Sequence, residues 1–395
     1  MSAAPTPPFY LCDLDLLSHR YREFADAFGS RFRRVIVGYS YKTNYLPAVL
    51  HHLHAMGAFA EVVSPFEEWL ARKVGLEGGR IVVNGPGKSS DLLVRTFRAG
   101  SILNLDSVRE ARTLAAARGD APVRGVGLRV NLPHPEARSG RERSRFGMPR
   151  TGPDGLGAAA AALAASGIPV VGFHAHLSTR SRSRDVFRGV VRELAAAASE
   201  LGVHVEYLDV GGGFGYAPAG MALSFPRLDE YAEVIRGELE SHLPGFRDGT
   251  LIVEPGIAMV GDAVSFFAPV VDVRRVAGRR VALVDGSIHN VRPTRHRHRI
   301  PVAALDSRLE PKTGSPHPHD IVGYTCMEDD YLEQDVELAP LEPGDVVRFD
   351  NVGAYTLVFK PPFIRPTPAV YVRRAGETRL ARRGETFDDL VAGDV

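Results

Sequence analysis

The chain has 395 residues, 48 Lys and Arg against 47 Asp and Glu, a net charge of +1 and 44% hydrophobic residues. That size and composition suit a soluble globular protein of two domains, and the balanced charge excludes a nucleic-acid binder, which needs a strong basic excess. No apolar run reaches membrane-spanning length, no signal-like segment opens the chain, and Cys12 and Cys326 are too few for a disulfide framework or a cysteine zinc site, so a cytoplasmic protein without a metal or membrane partner is expected.

Phe9 to Cys12 reads as a strand, and Asp13 to Phe28, with Leu14, Leu17, Tyr21, Phe24 and Phe28 at helical spacing, as a helix. Arg34-Val35-Ile36-Val37 is a short β-branched run, hence a buried strand, and Tyr45 to Met56 carries Leu46, Val49, Leu50 and Leu53 at helical spacing. Between them lies Gly38-Tyr39-Ser40-Tyr41-Lys42-Thr43-Asn44. Lys42 therefore stands where a central strand ends and a crossover begins, the end of a parallel sheet where ligands bind. It is one of five lysines in an arginine-rich chain. A lysine there can lose its charge to burial and form a Schiff base with a carbonyl cofactor; a lysine snorkelling at a strand end is the alternative.

From Lys42 onward strand and helix alternate. Strands near 60–63, 80–83, 102–105, 127–131, 170–176, 204–210 and 251–254 are followed by helices such as 65–74, 108–118, 183–201 and 228–243. Roughly eight strand-then-helix units between residues 30 and 260 point to an α/β fold, either a (β/α)8 TIM-like barrel or a doubly wound sheet. No Gly-x-Gly-x-x-Gly follows the first strand, which favours the barrel. After Gly256 short runs at 264–273, 280–284, 299–304, 335–338, 346–349 and 369–373 alternate with Gly, Pro and Asp turns, with one short helix at 387–391. That predicts a C-terminal all-β domain, joined by the N-terminal strand near Phe9. The expected division is a barrel over 25–260 and a β-rich domain built from 1–24 plus 261–395.

Several strand ends carry chemistry. Gly211-Gly212-Gly213-Phe214-Gly215 could bring backbone N–H groups close to a phosphate, or could be a tight turn at a barrel rim. Glu254, in Glu254-Pro255-Gly256, could hold a protonated pyridine nitrogen, or could be a capping or ion-paired carboxylate. His174 and His176 share one face of a strand; a metal pair, a ring stacked on an aromatic cofactor and a core histidine are all open, and no companion ligand set stands at zinc spacing. Cys326, flanked by Glu328, Asp329 and Asp330, is a small buried hydrophobe or a thiol proton donor whose pKa the carboxylates raise. Tyr355 could present its phenol to a phosphate or fill the core. The run Arg292 to Arg299, containing Arg295 and Arg297, is an anion-binding patch or a solvated loop.

Taken in order, Tyr39-Ser40-Tyr41-Lys42-Thr43-Asn44, Asp106-Ser107, Ser144-Arg145-Phe146-Gly147, His174-Ala175-His176-Leu177-Ser178-Thr179, the triple glycine, Glu254-Pro255-Gly256, Gly323-Tyr324-Thr325-Cys326 and Gly353-Ala354-Tyr355 resemble the fold-type III pyridoxal phosphate decarboxylases, the family of diaminopimelate and ornithine decarboxylases. The resemblance runs from Phe9 to about Tyr371. It implies pyridoxal 5'-phosphate as cofactor, with Lys42 binding it, His176 stacked on its ring, Glu254 on its ring nitrogen, and Gly211, Gly212, Gly213, Tyr355 and Thr179 at its phosphate. Thr179 replaces a serine of the relatives. It also implies that Cys326 comes from the neighbouring subunit as proton donor, and hence a homodimer with shared active sites.

Two further departures concern substrate. Ile257 follows Glu254-Pro255-Gly256 where diaminopimelate decarboxylases carry an arginine for the distal carboxylate, and Met327 follows Cys326 where they carry a glutamate. With Arg292 and Arg295 as replacement basic groups, the expected reaction is decarboxylation of a carboxylate-bearing or otherwise modified amino acid, free or carrier-tethered, in a siderophore or antibiotic type of secondary-metabolic pathway. The alternatives are a basic amino acid (ornithine, lysine or arginine) or diaminopimelate, with Glu328, Asp329 or Asp330 receiving a distal ammonium group. An amino acid racemase and a non-catalytic regulatory homologue are the remaining readings.

Overall fold

The computed structural model describes residues 5–119, 124–136, 143–216, 224–294, 299–359 and 361–393. The chain opens with strand β1 (Phe9–Asp13) and helix α1 (Leu14–Gly29). Asp13 ends the one and caps the other, its carboxylate accepting from Asp15 and Leu16 N–H at 3.0 Å.

Eight parallel strands then close into a barrel in chain order. They are β2 (Arg34–Ser40), β3 (Phe59–Val62), β4 (Ile81–Val83), β5 (Ile102–Leu105), β6 (Val126–Arg129), β7 (Val170–His174), β8 (Tyr207–Asp209) and β9 (Thr250–Val253). β9 pairs back onto β2, Val37 facing Val253. Runs such as Ile81-Val82-Val83 are apolar throughout because helices cover the barrel outside and side chains fill its inside. The covering helices are α2 (Pro47–Ala55), α3 (Pro65–Lys73), α4 (Ser90–Arg98), α5 (Val108–Ala117), α6 (Leu156–Ala164), α7 (Arg184–Leu201) and α8 (Leu228–His242). Ser64, Ser89 and Ser107 each take an N–H in the first turn of the helix they open, which is why strand leads to helix so directly at these points. Helix α6 has no counterpart in the sequence reading. Its alanine-rich run lacks an apolar stripe to read, and alanine's high helix propensity forms it instead.

A second, nine-stranded sheet follows. Its strands are β10 (Val264–Val276), β11 (Arg279–Val284), β12 (Val302–Leu305), β13 (His317–Val322), β14 (Tyr331–Leu338), β15 (Val346–Phe349), β16 (Ala369–Arg374) and β17 (Glu377–Arg382). β1 lies inside this sheet, antiparallel to β10 and parallel to β16, with Phe9 stacked on Phe267 at 4.6 Å between centroids. Thus the N-terminal strand joins the β domain. Strands β13 and β17 carry weak sequence signals: the first opens His317-Pro318-His319-Asp320, and the second is a charged strand paired only with β16. The strand expected over Arg299 to Ala304 begins only at Val302.

One loop of this sheet docks on the barrel beside the Lys42 turn. Gly353 N–H donates to Gly261 O at 2.8 Å, Asn44 Nδ2 donates to Gly353 O at 3.0 Å, and Tyr355 N–H donates to Thr43 O at 2.8 Å. A Cβ on Gly353 would lie 1.8 Å from Val260 O, so only glycine permits this approach. Among the described residues no helix is long and apolar enough to cross a membrane.

Candidate active site

Lys42 occupies the short 3-10 turn Tyr41–Thr43 at the carboxyl end of β2. Its Nζ pairs with Glu61 Oε2 and lies 3.4 Å from Ser40 Oγ, and its side chain is 33% exposed. Glu61, from β3, is buried and also accepts from Ser40 Oγ at 2.7 Å and Asn84 Nδ2 at 3.2 Å. Burial works to lower the Lys42 pKa, but the carboxylates of Glu61 and Glu254 outweigh it and hold the ammonium above its ordinary value. The expectation that burial strips the charge is therefore corrected. The lysine is charged and reachable, with its own carboxylate partner.

Glu254 sits beyond the end of β9, buried at the centre of a polar cluster. Its Oε1 accepts from Asn84 Nδ2 and lies 3.8 Å from His174 Nε2; its Oε2 lies 3.9 Å from His176 Nδ1. His176 Nδ1 itself accepts the Gly212 N–H at 2.9 Å, so the proton of this neutral ring is on Nε2 and the contact to Glu254 is no ion pair. Burial pushes His176 down to about 3, which keeps it neutral. Asp209, ending β8, is buried beside Glu254 and takes the Gly211 N–H at 3.0 Å and the Asn104 amide at 3.3 Å.

His174, Asp209 and Glu254 bring ligand-type atoms within 4.8 Å of one another, a companion set the sequence did not reveal. Amide donors engage both carboxylates: Asn84 on Glu254, and Asn104 with the Gly211 N–H on Asp209.

The triple glycine wraps this cluster. Gly211 and Gly213 have φ of +69° and +90°. A Cβ on Gly212 would come within 2.3 Å of Glu254 O, and one on Gly211 within 2.8 Å of the His176 Cβ. The glycines thus let the loop lie flat against residues 175–177 and 254. Thr179 is buried in the neighbouring loop, its Oγ1 accepting from Arg182 N–H at 3.1 Å. Tyr355 stands beside Lys42, held with φ of +64° by its bond to Thr43.

The mouth of the barrel therefore gathers Lys42, His176, Thr179, Gly211, Gly212, Gly213, Glu254 and Tyr355. A reachable amine, a carboxylate facing it across a buried cluster, a neutral imidazole and a glycine cradle fit an aldehyde-bearing pyridine with a phosphate. Cys326 is exposed on the turn between β13 and β14, with Glu328 exposed beside it. Asp330 is buried beneath that turn: it accepts from Ile288 N–H at 2.7 Å and from Thr325 N–H and Oγ1 at 3.0 and 2.6 Å, so it builds the turn rather than facing a ligand. Arg292 is largely buried, paired with Glu333 Oε1 at 3.2 Å and donating to Leu332 O, instead of lying in a solvated patch. Arg295 lies outside the described residues. Glu61, Asn84 and Asp209 were missed; the signal was a polar residue within or just beyond a buried apolar strand.

Comparison with known proteins adds to this geometry. The family described as "Pyridoxal-dependent decarboxylase, pyridoxal binding domain" matches residues 14–261. A probable chloroplastic diaminopimelate decarboxylase of Oryza sativa subsp. japonica is 29% identical, over 99% of this chain and 80% of its own length. The diaminopimelate decarboxylase of Methanothermobacter thermautotrophicus is also 29% identical, over 98% of this chain and 91% of its own. The diaminopimelate decarboxylase of M. jannaschii, solved with L-lysine, superposes with a TM-score of 0.88 at 24% identity, covering 98% of this chain and 92% of that one.

Proposed function

The chain belongs to the fold-type III pyridoxal phosphate-dependent decarboxylases, and from that premise we propose that it removes the α-carboxyl group of a diamino acid, diaminopimelate before others. It is an amino acid decarboxylase that uses pyridoxal phosphate. The secondary-metabolic substrate expected from the arginine run is corrected: the relatives that match the chain over nearly its whole length are named diaminopimelate decarboxylases. The same correction removes the reason to look for a carrier-tethered substrate, because Arg292 is engaged by Glu333.

Bound pyridoxal phosphate supplies an electron sink for the pair left when carbon dioxide departs. The protein's own groups do the rest. Lys42 is the amine that holds the cofactor's aldehyde, and Glu61, already paired with it, is placed to take the proton that must leave before the amine can attack. With the cofactor bound, Glu254 would meet the ring nitrogen, neutral His176 would lie along the ring, and Gly211, Gly212, Gly213, Thr179 and Tyr355 would hold the phosphate. Cys326 delivers the proton to the substrate carbon from a second copy of the chain, which makes the working form a homodimer. Glu328, exposed next to Cys326, is available for the distal ammonium group of the substrate. The observation that carries this reading is the Lys42–Glu61 pair set against Glu254 at the barrel mouth, in a chain similar to these relatives from end to end.

One observation favours a second reading. Ile257 offers no charge to a distal carboxylate, which suits lysine or ornithine better than diaminopimelate. Carbon dioxide release from purified protein with added cofactor should separate the two, using diaminopimelate, lysine, ornithine and arginine in turn. Turnover of diaminopimelate that Lys42→Ala abolishes is the expected result. Turnover of lysine or ornithine alone would move the assignment to the second reading, and no release from any diamino acid would sink both.

A further inference from the structure

Glu254 is the proposed partner of the cofactor's ring nitrogen, and neighbouring strands aim polar groups at it. Asp209 comes from the end of β8 and His174 from the end of β7; both are buried, as Glu254 is. Neither ring nitrogen of His174 has a hydrogen-bond partner among the described residues, and Nε2 points at Glu254 Oε1 from 3.8 Å. A buried imidazole with both nitrogens idle costs stability unless the assembled site uses it. Asp209 and Glu254 are both buried with carboxylate oxygens within 4.8 Å of each other, where two carboxyls resist ionising together and a single shared proton would relieve the repulsion.

The surroundings decide which oxygen keeps it. Glu254 has the Asn84 amide, His174, and the positive charge of Lys42; Asp209 has the Gly211 N–H and a longer contact to Asn104. Other charged or titratable groups facing the cluster include Glu61 from β3, Arg129 from β6, His176 beyond β7 and Tyr207 from β8.

We propose that Asp209 and His174 are positioning residues for Glu254: Asp209 carries the one shared proton and donates it to Glu254, while His174 turns its Nε2–H toward the same carboxylate. Glu254 is thereby presented to the cofactor as an anion whose oxygens cannot swing away from the ring nitrogen. Consistent with this, burial and the Glu254 charge hold Asp209 well above the usual carboxylate range. Burial pushes Glu254 upward too, but His174, Lys42 and the Asp209 hydrogen bond overcome it and leave it below its ordinary value. Burial keeps His174 neutral, with a single N–H to give.

The inference rests on the functional reading of Glu254, and the experiment keeps the two separable. The readouts are the equilibrium affinity of the apoprotein for pyridoxal phosphate and the pH at which the absorbance of the bound cofactor changes. Asp209→Asn keeps a neutral N–H donor of the same shape, so both readouts should match wild type within about threefold in affinity. Asp209→Val and His174→Phe remove the donors, and each should weaken the cofactor about tenfold and move the absorbance transition. The inference is overturned if Asp209→Asn behaves like Asp209→Val, because Asp209 would then act as a charge. It is equally overturned if His174→Phe leaves both readouts in place. Thermal unfolding of the apoproteins identifies a variant that has merely lost its fold, and the isosteric asparagine keeps the test decisive in that event. Failure of the wild-type protein to bind pyridoxal phosphate would overturn the functional reading itself, and this inference with it, before any variant is compared.

Discussion

One residue from Lys42, Tyr41 shares a hydrogen bond with His54 that fixes both side chains. His54 Nδ1–H donates to Ala58 O at 2.9 Å, so Nε2 must accept, and the Tyr41 hydroxyl supplies its proton at 2.6 Å. Burial pushes His54 from 6.5 down to about 4. In the unfolded chain this histidine takes a proton below its ordinary pKa, whereas the folded protein refuses it until about pH 4. Stability contributed here is therefore complete above 6.5 and declines as the pH falls toward 4, by roughly 3 kcal/mol over the whole window. Urea unfolding at pH 7.5 and pH 5 should show this loss, and His54→Gln should flatten it; an unchanged acid slope in the variant would refute the assignment.

A second buried pair makes a different prediction. Lys88 Nζ meets Glu110 Oε2 at 2.9 Å with both side chains essentially inaccessible, and Glu110 also takes the Lys88 and Asp106 N–H groups. Lys88→Met strands the carboxylate and should cost about 3–5 kcal/mol. Lys88→Met with Glu110→Gln removes the lone charge at the cost of one of the two backbone bonds, since each N–H meets a different oxygen and an amide has only one to accept with; chemical denaturation should still find it the more stable of the two variants. Neither Lys88 nor Glu110 announced this partnership in sequence. Lys42 and Glu254 were legible because each closes an apolar strand next to a turn, a local signal. Glu61 and Asp209 were not, because what they face depends on β3 lying beside β2 and β8 beside β9. Arg292 looked solvated for the same reason, since Glu333 reaches it from a distant strand.

At the level of elements, periodicity sufficed for the barrel and failed where a strand is polar or a helix is nearly all alanine, as with β17 and α6. Glycines show how tightly the elements then constrain one another. Gly212→Ala would drive a Cβ to 2.3 Å from Glu254 O, so either the loop or the end of β9 must move. We expect about 1–3 kcal/mol of lost stability and weaker cofactor binding, read by thermal unfolding and cofactor titration. Gly189, inside α7 with no neighbour within 4 Å of its built Cβ, is the control. There Gly189→Ala should raise stability by about 0.5–1 kcal/mol. If both substitutions act alike, the close approach of the glycine loop to Glu254 is not what sets the cost.

At the level of the whole molecule, exposed apolar side chains gather on two segments, one after Tyr355 and one on α3. Phe359, Phe363 and Ile364 follow Tyr355, whose ring lies 5.9 Å from that of Phe359. On the barrel side Tyr45 meets Phe66 at 5.2 Å, and Phe66 stacks on an exposed Trp69. Apolar surface clustered in this way fits a protein interface better than open solvent. Cys326 meanwhile is exposed on the turn between β13 and β14 of the second sheet. In the homodimer proposed above each Cys326 turn reaches the partner's barrel mouth, and an interface there is one that exposed apolar side chains of this kind would suit. Mixing two damaged chains tests that arrangement directly. Lys42→Ala and Cys326→Ser should each be nearly inactive alone. In an equal mixture half the dimers are mixed, and a mixed dimer has one site with both defects and one with neither, so about a quarter of wild-type activity should return. Recovery requires exchange of subunits, so it should appear only after the chains are co-expressed or refolded together. A mixture that stays at the background of its components, while sedimentation shows the chains associated, would mean that each barrel works with its own cysteine or with none.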